Sequence, residues 1–314
     1  MKLKMSINCI LVTGVAGFIG RYVARHFKRK GWAVIGVDTA PLENAPLGSL
    51  SAYYAMKLPH AEFAQVLTRH APQLCIHCAG RASVGLSMSD PAADFVAGPM
   101  LTFEILNALR LNTPECKFIF ISSAAVYGNP KSLPVGEEQF SAPLSPYGFH
   151  KWQCEIQCRE FYQVYGLPTA SVRIFSAYGP GLRRQVIWDI CRKILVQKSL
   201  NLRGTGKESR DFVHALDIAL GIDVIANAGP MQGEVYNLAS GREVSILELA
   251  SIILAALGSD LKPEFDGVVP SGTPLNWQAD IGKLDTLGFT PAISLEEGLQ
   301  TFSIWCRAEL SGAL

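Results

Sequence analysis

The sequence predicts an α/β fold in which a doubly wound parallel sheet carries a smaller C-terminal α/β lobe. Short apolar runs rich in β-forming residues alternate with helical patterns through the first 175 residues. A glycine-rich turn joins the first apolar run to the first helical pattern. Beyond residue 176 the alternation becomes less regular and Gly/Pro-rich loops appear. Buried strands that are separated by helices form parallel sheets covered on both faces.

The elements follow in order along the chain. The predicted strands are 9–14, 33–38, 74–79, 117–123 and 169–175, and the helices between them are 18–30, 61–70, 94–111 and 147–165. Later helices are predicted at 185–197, 245–257 and 294–309. Residues 1–175 would form the first unit, with 211–240 returning to it as a helix and a strand, and the smaller lobe would comprise 176–210 and 241–314.

Composition excludes several classes of protein. The 28 Lys and Arg residues almost balance the 27 Asp and Glu residues, which argues against a basic surface for nucleic acid or membrane. No apolar segment is expected to reach the roughly 18–20 residues of a membrane-spanning helix, and the first residues do not resemble a signal peptide. Eight scattered cysteines are typical of reduced thiols. We therefore expect a cytoplasmic protein without nucleic-acid or membrane partners.

One cysteine pair has the spacing of a metal site. Cys75 and Cys78 lie in the predicted strand 74–79, where side chains three residues apart point to opposite faces. No second Cys or His pair follows at metal-binding spacing. No metal is therefore predicted.

The turn after the first strand has the pattern of a dinucleotide site. In TGVAGFIG, Gly14, Gly17 and Gly20 lie three residues apart between strand and helix, where they allow a tight turn and close approach to a pyrophosphate. The helix N-terminus favours anions. Asp38 follows 18 residues after Gly20 at the end of the second strand, where a carboxylate binds ribose hydroxyls. This pattern predicts a Rossmann-type unit with NAD, while Lys57, near the end of a possible third strand, leaves NADP open.

Three further side chains suit hydride chemistry at an alcohol. Ser122 and Ser123 end the fourth long strand, at the sheet edge where ligands bind. Tyr147 and Lys151 lie four residues apart, which places them on one face of a helix. A tyrosine phenol is protonated at neutral pH, and a neighbouring ammonium and the positive nicotinamide favour the phenolate that accepts a proton.

The order of these and later segments resembles that of extended short-chain dehydrogenase/reductases, and more narrowly the nucleotide-sugar epimerase/dehydratase/reductase group. The resemblance spans residues 8–308 and rests on TGVAGFIG, HCAG, SSAAVYG, SPYGFHK, RIFSAYGPG, RDFVHALDIA, VYNLASGREVSILELA and DIGKLDTLGFTPAISLEEGL. It implies a nucleoside-diphosphate-sugar substrate bound by the smaller lobe. It also implies a homodimer, paired through the helix that carries Lys151 and its neighbour.

The resemblance assigns roles to individual residues. Ser123 takes the catalytic Ser/Thr position, Tyr147 is the acid/base and Lys151 is its partner. The cofactor would be bound by Gly14, Ala16, Gly17, Phe18, Ile19, Gly20, Asp38, Ala79, Gly80, Tyr147 and Lys151. The substrate would contact Ser123, Ser176, Arg183 and Arg210. For Arg183 and the adjacent Arg184, a ligand contact and an ordinary surface charge are equally weighted alternatives.

Departures from the group narrow the expected reaction. Ala124 and Ala125 stand where 4,6-dehydratases carry an acid and a base, so dehydration is disfavoured. Ser176 replaces the usual Asn, and His214 replaces a Tyr and is expected to be a buried histidine. The leading expectation is a C4 epimerase that acts through a transient 4-keto sugar. The alternative is a 4-ketoreductase, and a remote one is a nucleotide-sensing protein without catalysis.

Overall fold

The computed structural model describes residues 8–268 and 274–312. Three stretches of the two predicted units lie outside the described residues, namely 1–7, 269–273 and 313–314. In chain order the strands are β1 (Cys9–Thr13), β2 (Ala33–Asp38), β3 (Ala52–Ala55), β4 (Leu74–His77), β5 (Lys117–Ser123), β6 (Thr169–Ile174), β7 (Ser176–Tyr178), β8 (Asn201–Leu202), β9 (Ser209–His214), β10 (Gln232–Leu238), β11 (Glu243–Ser245) and β12 (Glu264–Phe265).

The helices agree closely with the predicted periodicity. They are α1 (Phe18–Arg29), α2 (Phe63–His70), α3 (Val84–Ser89), α4 (Pro91–Phe95), α5 (Leu101–Asn112), α6 (Pro146–Tyr165), α7 (Gln185–Arg192), α8 (Ala215–Ala228), α9 (Ile246–Leu257), α10 (Gly282–Asp285) and α11 (Leu295–Leu310). Short π-helical turns, Val96–Met100 and Lys193–Gln197, extend two of them. Each of the five predicted strands is present, shortened by up to two residues at its carboxyl end.

Seven parallel strands form the central sheet in the order β10-β6-β5-β4-β1-β2-β3. All residues of β1, β4 and β6 are buried, as expected for strands covered on both faces. One face packs on α1 and α8, and the other packs on α2, α5 and α6. This arrangement confirms the predicted fold class. Cys75 belongs to one core and Cys78 borders the other, so the two thiols do point to opposite faces.

The strand order reverses between β1 and β4. Chain connections leave in opposite directions there, and the loops at the carboxyl ends of the two strands diverge to leave a crevice where ligands bind in open α/β sheets. Thr13 at the end of β1 pairs with His77 at the end of β4. The glycine turn and the loop after β4 therefore border the same crevice.

A smaller group of elements lies beside the carboxyl edge of the sheet. Strands β11, β9 and β7 form a three-stranded sheet, and α7, α9 and α11 share a separate apolar core. Strand β10 pairs with β6, and α8 packs against α1. The exact division into a nucleotide-binding unit and a substrate lobe stays a prediction.

One helix is more apolar than the sequence analysis expected. Residues Pro91–Asn112 run continuously as α4, a π-helical turn and α5, and they are long and apolar enough by length and composition to cross a membrane. The expectation that no segment reaches this length is therefore wrong. The helix buries Leu101, Ile105 and Leu109 against the central sheet, and the absence of a membrane partner stays a prediction.

Candidate active site

The glycine turn brings backbone rather than side chains to the crevice. Gly14 has a φ of +69°, and a Cβ on it would lie 2.5 Å from the Ala79 nitrogen, so only glycine fits. A Cβ on Gly20 would collide with the Gly14 carbonyl oxygen. Gly17 begins α1 without a side-chain cap, which leaves the N–H groups of the first turn free for an anion.

Asp38 secures the loops beside this turn. Its Oδ2 accepts the Ala16 N–H at 2.9 Å, and its Oδ1 accepts the Ala40 N–H at 3.0 Å. Each carboxylate oxygen has a second lone pair, which leaves acceptors for two ribose hydroxyls. The close approach at Gly14, the open N-terminus of α1 and this carboxylate therefore fit NAD.

Helix α6 fixes the predicted acid/base pair. Ser145 caps the helix by accepting the Gly148 N–H at 3.3 Å, and Pro146 occupies the first position, which favours helix initiation. A Cβ on Gly148 would lie 2.6 Å from the Ala125 carbonyl oxygen, so the helix start presses against the strand-end turn. Lys151 Nζ donates to the Ile121 carbonyl at 2.7 Å and lies 5.8 Å from the Tyr147 ring centroid.

The two serines at the end of β5 have different surroundings. Ser122 is 3% exposed and its hydroxyl donates to Glu155 Oε1 at 2.5 Å. Glu155 in turn accepts from the Arg173 guanidinium at 2.7 Å, a buried ion pair that holds β6 against α6. Ser123 Oγ accepts the Ala125 N–H at 3.2 Å. Ser122 is thus committed to structure, whereas the Ser123 hydroxyl hydrogen has no protein acceptor among the described residues.

A cleft of about 730 Å³ brings most of the predicted residues together. Those that line it are Gly14, Gly17, Phe18, Ile19, Gly20, Gly80, Ser123, Tyr147, Lys151, Ser176 and Arg210. Ala79 lines a small neighbouring cavity instead, together with Gly80, Tyr147 and Lys151. Ala16, Asp38 and Arg183 do not line either space within the described part of the chain.

The two adjacent arginines after β7 are separated by the structure. Arg183 has a side chain that is 60% exposed and donates from Nε to Glu309 at 2.6 Å. Arg184 lines the cleft, and its guanidinium donates to the Ala82 carbonyl on the opposite wall. The geometry therefore favours Arg184 over Arg183 as a ligand contact.

Sequence reasoning missed two further cleft residues, Arg81 and Trp277. Trp277 donates its indole N–H to the Gly128 carbonyl at 3.3 Å, and the Arg210 guanidinium lies 5.4 Å from its ring. A lone tryptophan in the polar stretch GTPLNWQAD was the available signal for it. The described residues that line the cleft include the cations Arg81, Lys151, Arg184 and Arg210 and no acidic residue, a charge pattern suited to an anionic ligand.

Two buried histidines lie just behind this cleft. His214 is 4% exposed and caps α8 by accepting the Leu216 N–H at Nδ1, as expected for a buried structural histidine. Burial lowers the pKa of His214 to about 4. His77 contacts the Thr13 hydroxyl at 2.7 Å, and burial, with a smaller contribution from Lys151, lowers its pKa to about 3. No cluster of His, Cys, Asp or Glu in the described ranges could hold a metal ion.

Comparison with known proteins gives a consistent result. A model of the NAD dependent epimerase/dehydratase family matches residues 10–239. The UDP-glucuronate 4-epimerase of Thermodesulfobacterium geofontis (strain OPF15) is 30% identical over 321 residues, covering 96% of this chain and 96% of that protein.

Two solved structures share the whole architecture. The UDP-glucose 4-epimerase of Thermotoga maritima with UDP-glucose superposes with a TM-score of 0.87 at 28% identity, covering 96% of this chain and 99% of that one. The UDP-glucuronic acid 4-epimerase of Bacillus cereus, in complex with UDP-glucuronic acid and NAD, gives the same TM-score of 0.87 at 28% identity, with 96% and 99% coverage.

Proposed function

The chain belongs to the NAD dependent epimerase/dehydratase family, and from this premise we propose that it is a nucleotide-sugar C4 epimerase in which Tyr147 is the acid/base. Family membership confirms the predicted group, the prediction of an enzyme and the preference for NAD. The roles of individual residues and the 4-keto intermediate are part of the proposal.

One observation carries the proposal: Ser123, Tyr147 and Lys151 line the same cleft as the glycine turn. A group that abstracts a proton must lie beside the carbon that loses a hydride, because both leave the same alcohol. Lys151 is already positioned by the Ile121 carbonyl, and Tyr147 is one helical turn before it. Ser123, Tyr147 and Lys151 therefore lie on one wall of the cleft, the catalytic wall.

The residues would act in sequence on the sugar. NAD, held by the glycine turn and Asp38, would supply the hydride acceptor and donor for C4 of the sugar. Tyr147 as phenolate takes the C4 hydroxyl proton while the Ser123 hydroxyl orients that oxygen. The Lys151 ammonium favours the phenolate by its charge. After the 4-keto sugar has turned, Tyr147 gives the same proton back, so no proton or reducing equivalent is consumed.

We further propose that the substrate is a UDP-sugar. The relatives reported above act on or bind UDP-glucose and UDP-glucuronic acid, which differ at the sugar and share the nucleotide. Arg210 and Arg184 line the cleft, and guanidinium groups match diphosphate oxygens. Ala125, which also lines the cleft, cannot move a proton, which supports epimerisation over dehydration.

A homodimer is proposed from the surface of the helix pair α5 and α6. Phe103, Ile156 and Val164 are 42%, 50% and 65% exposed, which is unusual for large apolar side chains. Phe161 and Trp152 on α6 instead pack inward against the cores.

The cellular location is a separate proposal. Eight free cysteines support the prediction of a cytoplasmic location.

Cofactor content and turnover test the function together. The purified protein is expected to hold NAD and to interconvert UDP-glucose with UDP-galactose, or UDP-glucuronic with UDP-galacturonic acid, without added cofactor. Tyr147→Phe should lower kcat by roughly 10³-fold and leave the NAD content intact. Consumption of one added NADH or NADPH per molecule of a UDP-4-keto-6-deoxysugar, with no interconversion of the UDP-hexoses, would establish the 4-ketoreductase instead. Full activity of Tyr147→Phe would refute the assigned acid/base.

A further inference from the structure

A second titratable pair lies behind the catalytic wall. His150 Nδ1 lies 2.6 Å from Asp94 Oδ2, and the two side chains are 13% and 3% exposed. A carboxylate can only accept, which assigns the hydrogen to Nδ1 and leaves Nε2 as the atom that can take up a proton. Neither residue is among the described residues that line the large cleft, so the mechanism above does not use them.

The pair nevertheless shares a cavity with both catalytic side chains. A cavity of about 10 Å³, close to the size that one hydrogen-bonded water needs, is bordered by these groups. Its titratable and charged lining residues are Arg81 from the loop after β4, Asp94 from α4, and Tyr147, His150 and Lys151 from α6. Helix α5 and strand β5 contribute Thr102 and Phe120 to the lining, neither of which is charged.

The π-helical turn before α5 packs against His150. It comprises Val96–Met100 and carries Gly98, where a Cβ would lie at an ordinary van der Waals distance of 3.7 Å from the His150 Cβ. The Phe95 ring lies 5.5 Å from the His150 ring and covers its outer edge. The ring is held between two elements while part of it remains accessible for proton exchange with solvent.

We propose that Asp94 and His150 form a second proton-holding site that controls the ionisation of Tyr147. With neutral His150 the pair carries one negative charge, which disfavours the Tyr147 phenolate. Uptake of one solvent proton at His150 Nε2 makes the pair an imidazolium–carboxylate with no net charge and removes that penalty. Both are positioning residues, because they act on the sugar only through Tyr147 and Lys151. The inference rests on the proposed role of Tyr147.

Opposite substitutions in the pair should move Tyr147 in opposite directions. Asp94→Asn removes the negative charge, so the Tyr147 phenolate should form at a lower pH than in the wild type. His150→Asn keeps a donor for Asp94 but cannot take up the compensating proton, so the phenolate should form at a higher pH than in the wild type. General loosening of the site would not produce shifts of opposite sign.

The ionisation can be measured without turnover. Ultraviolet difference absorbance of tyrosinate against pH, with the Tyr147→Phe titration subtracted, gives the midpoint for Tyr147, and the acid side of the kcat–pH profile should move with it. His26 and Asp223 form a matched pair at 2.8 Å on α1 and α8, so His26→Asn and Asp223→Asn should leave the midpoint unchanged. Midpoints of Asp94→Asn and His150→Asn that are both unchanged, or that move together, would overturn the proposal. A failure of the proposed function itself would appear separately, as full activity of Tyr147→Phe.

Discussion

The two walls of the cleft are built in different ways. On the cofactor wall, backbone atoms and short side chains do most of the work, as at Gly14, Gly20 and Ser123, and each position is constrained by contacts under 3.5 Å to a neighbouring strand or turn. On the opposite wall, long side chains such as Arg184 and Arg210 reach in from the start of α7 and from the central strand of a small sheet. The first wall tolerates few substitutions, and the second can be changed to suit a different sugar.

The largest effect is expected where the cofactor wall has no free volume. Gly20→Ala places a methyl group against the Gly14 carbonyl, and because that oxygen belongs to the backbone, the turn itself must shift. We expect NAD binding to weaken about a hundredfold, measured as NAD released per chain on denaturation and by titration of the apoprotein. Gly48→Ala, where a Cβ meets nothing within 4 Å, is the control and should retain NAD. Equal NAD content in the two variants would contradict the backbone-built wall.

A smaller and more selective effect is expected on the opposite wall. Arg210→Ala removes a guanidinium from the cleft, and loss of one charge-assisted contact should raise KM about tenfold with little change in kcat. Arg183→Ala is the matched control, because Arg183 is paired with Glu309 outside the cleft. Its KM should stay within about twofold of the wild type. Equal effects in the two variants would show that Arg210 and Arg183 are not distinguished by their positions.

These two walls also explain what the sequence could predict. The glycine turn, Asp38 and the Tyr147–Lys151 spacing are local patterns. The strands and helices predicted around them are present, because strand–turn–helix geometry is set within a few residues. Arg81 and Trp277 were missed because they enter the cleft through contacts distant in sequence, as between Trp277 and Gly128. Strand β3 was predicted only as a possible strand that ends near Lys57. Its four residues are mostly half-buried and lack the clear apolar run that marks the other strands.

Within the site, the sequence alone also could not assign different roles to adjacent residues of the same type. Ser122 and Ser123 could not be told apart by composition, and both border the cleft. Their partners distinguish them, because the Ser122 hydroxyl donates to Glu155 whereas the Ser123 oxygen accepts the Ala125 N–H. Arg183 was predicted as the substrate contact, whereas the structure pairs it with Glu309 and places Arg184 in the cleft. Pairing with Glu309, on the last helix, depends on a contact across 126 residues.

The smallest expected effect is on the pH dependence of the free energy of unfolding. It concerns two buried histidines, one behind each wall. His77 and His214 have pKa values lowered to about 3 and about 4, so the unfolded chain, with ordinary histidines, binds more protons between those values and about 6.5. Stability should therefore fall as pH drops from 7 to 5, by roughly 2 kcal/mol for His77 and roughly 1–2 kcal/mol for His214.

Denaturant unfolding at the two pH values measures this loss. His214→Asn keeps an N-cap acceptor for α8 but cannot titrate, so its loss between pH 7 and 5 should be smaller than that of the wild type by the His214 share. An unchanged pH dependence in His214→Asn would show that His214 is already protonated in the folded protein at pH 5.

The central claim is that the hydride removed from C4 returns to the same sugar on the opposite face of the ketone. The most direct measurement uses a UDP-sugar with deuterium at C4, incubated with the purified protein and no added cofactor. The account predicts that both C4 epimers form and that each retains the full deuterium label at C4. Loss of the label from C4 of either epimer, or no conversion without added cofactor, would contradict it.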